Sequence, residues 1–349
     1  MITKPLGRTG IPVGCIGLGA EHLQNAEEQT VLDVVGAALD YGMNYIDLFM
    51  PEPVVRSRIG KALAGRRDQA VVAGHLGAVQ TQGQYERIRE PEKSLVYFHD
   101  LLTRLRTDYL DILMLHYVDE DADYERVTAP GGLAELAWKL KAEGKARAVG
   151  MSTHSAGIAQ RAVDDGLIDV LMLSVNPVLD ALEDDANLDN LALEGGSKGS
   201  GFGVTPKRER LYLSCAREGV AIVTMKTFSG GWLFNERSPL GRAFTPVQLI
   251  HYALTRPGVV ATLPGCSTVA QVEQAAAYLT ACEQERDFGE LARSPLWRMK
   301  QACFEEGSQS ADIKYPLIGL SRRCIPSWVS RAHPLPAVGY AASVKRQSR

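Results

Sequence analysis

Three observations predict an α/β chain folded as a closed parallel (β/α)8 barrel, a TIM barrel, with an N-terminal hairpin and a C-terminal tail. Eight short apolar segments alternate with amphipathic helical segments as far as residue 279, and such alternation builds a parallel sheet wrapped in helices. Segments such as VAIVTM and VLMLSV are unbroken apolar runs, as expected where both faces of a sheet are covered. A length of 349 residues, 45% of them apolar, suits one such barrel with appendages.

The elements follow in order. ITKPLGRTGIPVG turns at Arg8-Thr9-Gly10, so a hairpin precedes a first strand over residues 13–18. Val31, Val34, Val35, Ala38 and Leu39 then recur at helical spacing, and Gly42 stops the helix. NYIDLF is strand 2, followed by the helix PVVRSRIGKALAG with Pro53 in its first turn. QAVVAGHLG is strand 3, PEKSLVYFHDLLTRLRTD its helix and YLDILMLHY strand 4. GGLAELAWKLKAEGK leads to strand 5 in ARAVGMSTH, and AGIAQRAVDDGL to strand 6 in IDVLMLSVNP. PKRERLYLSCAREG and VAIVTMK supply helix and strand 7, TPVQLIHYALTRPG and VVATLPG helix and strand 8, and VAQVEQAAAYL closes the series. Residues 178–205 form a long connection, acidic and then Gly/Ser-rich, which suits a partly mobile lid. From residue 283 the alternation stops, so the expected division is a barrel over 1–282 and an extension over 283–349.

Bulk properties exclude several classes. A net charge of -3 points to neither nucleic acid nor an anionic membrane. The longest apolar blocks are strand-sized, too short to span a bilayer. The opening Met1–Pro5 carries no signal-peptide core. Six scattered cysteines fit reduced thiols better than a disulfide framework, so a cytoplasmic setting is expected. Oligomeric state is not legible.

In such barrels the site lies at the carboxyl ends of the strands. Here those ends carry Asp47, His75, His116, Ser152-Thr153-His154, Ser174 with Asn176, Lys226 and Gly265-Cys266-Ser267. Ionisable groups closing three consecutive apolar runs, at Asp47, His75 and His116, point to a site for a small-molecule substrate. The acidic run after His116 lacks the glycine and spacing of a calcium loop and reads as a solvated loop. No metal site is expected. His22 and His154 are candidates for the barrel mouth, while His99 and His251 fall within helices.

The segments GRTGIPVGCIGLG, GMNYID, RTDYLDILMLHYVD, GKARAVGMSTH, GVAIVTMKTFSGG and ALTRPGVVATLPGCST resemble, in order, those of the aldo-keto reductases. The resemblance implies a nicotinamide cofactor, NADP or NAD, bound without a Rossmann domain. It also implies a tetrad: an acid on strand 2, a tyrosine five residues later, a lysine ending strand 3 and a histidine ending strand 4. Asp47 matches the acid and His116 the histidine, but Glu52 stands at the tyrosine position and His75 at the lysine position. Tyr45 precedes the acid, and Tyr117 would face away from His116 on an extended strand. The expected catalytic set is therefore Asp47, Glu52, His75 and His116. Glu52 also reads as a carboxylate stabilised by the dipole of the helix starting near Pro53.

By the same resemblance Gly19, Ser152, Thr153, Lys226, Thr227, Phe228, Gly265, Ser267, Thr268, Gln271 and Gln274 stand at cofactor positions. Ser152 would hold the nicotinamide amide, while Met172 replaces a usual glutamine. The loop after strand 8 would offer backbone amides and a helix N-terminus to a phosphate. No arginine occupies position 271, which leaves NAD against NADP open.

MPEPVVRSRIGKAL, AGHLG, QYERIRE and LHYVDEDADYERV narrow the resemblance to a bacterial subgroup with a ferredoxin-like tail. That tail holds an iron–sulfur cluster on four cysteines. Here Cys324 is followed by Ser327, Ser330 and His333 at the other ligand positions, and one thiolate with one imidazole does not hold such a cluster. No iron–sulfur cluster is expected. Three readings stay open: hydride transfer between NAD(P)H and a carbonyl with an altered proton donor; non-redox acid/base chemistry, as in a dehydratase, lyase or cyclase; and a non-catalytic binding subunit.

Overall fold

The structure is a computed structural model that describes residues 3–182, 204–294, 296 and 297. Most of the expected lid, and Cys324, Ser327, Ser330 and His333, lie outside the described residues.

The hairpin strands β1 (Thr3–Pro5) and β2 (Pro12–Gly14) pair antiparallel. A parallel sheet follows, built from β3 (Leu18–Gly19), β4 (Tyr45–Leu48), β5 (Val71–Leu76), β8 (Leu110–Leu115), β9 (Ala146–Thr153), β10 (Val170–Ser174), β11 (Ala221–Met225) and β12 (Val259–Thr262), adjacent in that order. The sheet curls until its edges meet. Ile16 bridges Thr262 and Gly19 bridges Gly265, while Gly17 N–H donates to the Thr262 carbonyl at 2.8 Å. The edges of the sheet are thereby joined in a barrel.

Alternation along the strands sorts the side chains. Tyr45, Ala73, Ile112, Met114, Ala148, Met172, Val223 and Ala261 point inward and pack together. Ile46, Leu48, Val72, Leu113, Val149 and Leu171 point outward into a layer shared with the helices. Leu6, Ile11 and Val13 of the hairpin join the inner cluster, and Arg8 N–H bonds the Gly219 carbonyl just before β11. The hairpin therefore plugs the amino-terminal end of the barrel and leaves the carboxyl end for chemistry.

Three local expectations are corrected. Residues 13 and 14 belong to the hairpin, because Asn44 Oδ1 accepts from Gly14 N–H and holds it there; the barrel strand is Leu18–Gly19. The acidic run after His116 is a loop only as far as Glu120; from Asp121 it is the start of α4 (Asp121–Thr128), counting helices α1 (Glu28–Asp40), α2 (Pro53–Ala62) and α3 (Pro91–Leu105) before it. Asp121 and Asp123 face its N-terminal dipole while Tyr124 and Val127 bury. Between β5 and α3 stands an unforeseen second hairpin, β6 (Ala78–Thr81) and β7 (Gln84–Arg87), turning on Gln82 and Gly83, both at positive φ.

Candidate active site

Period-two alternation builds the site. Tyr45, Ala73 and Met114 face the barrel interior, so Asp47, His75 and His116, each two residues further on, face inward at the carboxyl mouth. All three are about 95% buried. They form a continuous chain: Asp47 Oδ1 lies 2.9 Å from His75 Nε2, and His75 Nδ1 lies 2.9 Å from His116 Nδ1. His116 Nε2 lies 2.6 Å from the hydroxyl of Tyr85, which the second hairpin carries.

The donors are fixed by chemistry. With Asp47 ionised, it accepts from His75 Nε2–H. A neutral His75 then accepts at Nδ1 from His116 Nδ1–H, and a neutral His116 accepts at Nε2 from the Tyr85 hydroxyl. No other assignment of two neutral imidazoles satisfies all three contacts. Burial, and then the neighbouring His75, holds His116 well below its ordinary pKa. A cation on His75 would lie against the Asp47 carboxylate, 2.9 Å away. Phe49 stacks on the His116 ring at 5.2 Å and meets the Tyr85 ring edge-on at 6.2 Å, which fixes both ring planes.

Tyr85 is the functional candidate that sequence reasoning missed. The residue is 46% exposed, yet partial burial pushes the phenol up to about 12, so it carries its proton at neutral pH. The available signal was a turn-forming Gln82-Gly83 between alternating residues, directly after the His75 strand.

Glu52 is placed as the N-cap of α2. One carboxylate oxygen accepts from Val54 N–H at 2.8 Å and the other from Val55 N–H at 2.7 Å. Among the described residues no hydrogen bond joins it to the Asp47–His75–His116 chain. The structure thus engages it as its helix-start reading expects, and does not bring it into the relay. Tyr45 is fully buried inside the barrel. Tyr117 is not on an extended strand as expected: β8 ends at Leu115 and Tyr117 takes a left-handed φ of 50°, with its ring beneath the Arg87 guanidinium.

The expected cofactor residues divide. Ser152 Oγ accepts from Tyr117 N–H at 2.8 Å, which leaves its own O–H to donate. Lys226, half-buried and left-handed at φ 56°, has no carboxylate within ion-pair distance among the described residues. After β12, Thr268 caps the helix Val269–Ala276, and Gln271 Oε1 accepts from the backbone and hydroxyl of Ser267. Gly19 and Gly265 face each other across the barrel seam, with the His22 ring lying where a Gly265 side chain would stand. Gln274 is exposed and Phe228 packs on Phe234.

Two of the expected residues have their hydroxyls engaged within the protein. Thr153 is buried, its hydroxyl donating to Asp119 and accepting from Ser155 N–H. Thr227 is buried too, bonded to Thr224 and Thr262 hydroxyls inside the barrel. Ser152, the Lys226 cation, which no carboxylate pairs among the described residues, and the capped helix start are of a chemistry that fits an anionic dinucleotide. Met172 supplies no amide there. Among the described residues no group of three or more His, Cys, Asp or Glu is arranged to hold a metal ion.

A closed parallel barrel with a buried acid–histidine chain at its carboxyl mouth has the form of a barrel enzyme. The sequence profile of the Aldo/keto reductase family matches residues 14–188, half of the chain, and the chain belongs to that family. It is 30% identical over 156 residues to aldo-keto reductase YhdN of Bacillus subtilis (strain 168), covering 42% of this chain and 45% of that one. The chain spans about half the length of the first two curated relatives it matches. Its fold is shared with an aldo-keto reductase from Bacillus halodurans in its holo form, at TM-score 0.65 and 20% identity, covering 84% of this chain and 96% of that one. It is also shared with an aldo/keto reductase from Klebsiella pneumoniae in complex with NADP and acetate, at TM-score 0.57 and 21% identity, covering 83% and 94%.

Proposed function

We propose that this protein is a nicotinamide-dependent oxidoreductase that moves a hydride between NAD(P)H and a carbonyl or alcohol carbon of a small molecule at the barrel mouth. The observation that carries this reading is the unbroken chain from the buried Asp47 carboxylate through His75 to His116 at the mouth. Membership of the aldo/keto reductase family supports it, as does NADP in the Klebsiella pneumoniae relative.

When bound, the cofactor supplies or takes the hydride. The residues manage everything else. Asp47 holds His75 in its Nε2–H form and stabilises a cation there. His75 passes a proton to or from His116 through their facing Nδ1 atoms. His116 presents the far side of its ring to the mouth. Together the two histidines perform the general acid/base work that an altered tetrad requires. Ser152 is suited to orient a carboxamide, and Lys226 to meet phosphate charge. In the tail, the ligand set of Cys324, Ser327, Ser330 and His333 supports a reaction that proceeds without an iron–sulfur cluster.

Titration with NADPH and NADH, followed by fluorescence and thermal melts, tests the reading. Micromolar binding of at least one is expected, with a stabilisation of about 2.7 kcal/mol at a hundredfold excess over Kd. Lys226→Ala is expected to weaken it about tenfold or more, as loss of a charge-assisted contact to phosphate requires. Absence of binding to either cofactor at millimolar concentration would overturn the hydride mechanism.

A further inference from the structure

We propose that Tyr85, delivered by the β6–β7 hairpin, is the catalytic acid that hands the relay's proton to the substrate oxygen. The proposal rests on the oxidoreductase reading above and adds the group that touches the reacting atoms.

Four observations carry it. The Tyr85 hydroxyl terminates the chain, 2.6 Å from His116 Nε2. Tyr85 is the most exposed of the linked residues, half-exposed where Asp47, His75 and His116 are buried, so it is the member of the chain open to a substrate. The strand-2 loop supplies no competing acid in the chain, because both Glu52 oxygens hold the amides of α2. The hairpin is also built to hold its register. Thr81 bonds Glu86 at 2.6 Å, Lys93 pairs with Glu86 at 3.6 Å, and the Tyr97 hydroxyl on α3 bonds the Gln80 carbonyl.

The proton count closes. In the loaded state His75 is an imidazolium against Asp47 and donates from Nδ1 to His116 Nδ1. His116 Nε2–H then donates to the Tyr85 oxygen, which leaves the Tyr85 O–H free for the substrate carbonyl. As the carbonyl carbon gains a hydride from the reduced nicotinamide, its π pair moves to oxygen and takes the Tyr85 proton. Tyr85 recovers a proton from His116 Nε2, and His116 recovers one from His75 Nδ1. The chain ends in the arrangement of two neutral imidazoles derived above, one proton poorer. Alcohol oxidation runs the same transfers backward. A phenol pushed up to about 12 is a weak acid on its own, and concerted return of a proton from His116 is what lets it act.

The test uses the full chain, NADPH or NADH, and 4-nitrobenzaldehyde as the carbonyl probe. Tyr85→Phe keeps the ring and removes only the hydroxyl. Its kcat is expected to fall about a hundredfold or more, the scale of general acid catalysis. Cofactor affinity and melting temperature are expected to stay at the wild-type values, since the residue lies on a half-exposed hairpin. Histidine 15N spectra are expected to show a change at His116 Nε2 with the fold intact. A Tyr85→Phe protein that reduces the aldehyde within about threefold of the wild-type rate overturns the assignment while leaving the oxidoreductase reading in place. A wild type that binds neither cofactor and reduces no aldehyde overturns that reading instead, and the assignment with it.

Discussion

Glu52 and His116 contribute to stability by two different routes. The Glu52 carboxylate satisfies two amides that a helix start otherwise leaves unpaired. Glu52→Ala is therefore expected to cost about 1 kcal/mol of stability, read by chemical denaturation. His116 contributes through its resistance to protonation. Folded, it stays neutral where the unfolded chain takes a proton near the ordinary value of 6.5. Its contribution is complete above that pH and is lost as pH falls below it, by up to about 1.4 kcal/mol per pH unit for one proton. Urea midpoints measured from about pH 7 down to 5 are expected to drop in the wild type and to drop less in His116→Gln. The Asp47–His75–His116 alignment was legible in the sequence because alternation places strand-end residues reliably. The capping of Glu52 was legible only as one of two readings, since a carboxylate before a proline suits a cap and a catalytic acid alike.

At the scale of elements, the periodic helices and the buried apolar strands lie where their patterns put them, and the departures are confined to the first barrel strand, the second hairpin and the segment after His116. α1, with Val31, Val34, Val35, Ala38 and Leu39 buried, lies where its spacing puts it. The first barrel strand was placed too early because β2 and β3 are three and two residues long, too short for a pattern to separate them. The β6–β7 hairpin escaped because β7 is exposed along its whole length and has no apolar face. Tyr85 was missed with it. Gly60 illustrates a constraint that only packing reveals: an added Cβ there would collide with the Arg104 carbonyl where α2 crosses the end of α3. Gly60→Ala is expected to lose about 1–3 kcal/mol through that overpacking. Thermal melts would read the loss.

On the scale of the whole molecule, stability and chemistry occupy opposite ends of the barrel. The N-terminal hairpin seals the amino end with Leu6, Ile11 and Val13, and the Asp47–His75–His116–Tyr85 chain lies at the other. Leu6→Ala is expected to cost about 2–5 kcal/mol in denaturant without changing cofactor affinity, a separation that fluorescence titration would confirm. Among the described residues, the hairpin strands β6 and β7 pair only with each other and stand outside the barrel sheet. Ala78 and Val79 root them in the core, and beyond that point their sequence is released from the barrel's ladder. The ten residues from Ala78 to Arg87 are thus a detour from the barrel that is tied back to α3, where the Tyr97 hydroxyl bonds the Gln80 carbonyl. Any change in its length would move Tyr85 relative to His116, while the scaffold beneath stays as it is.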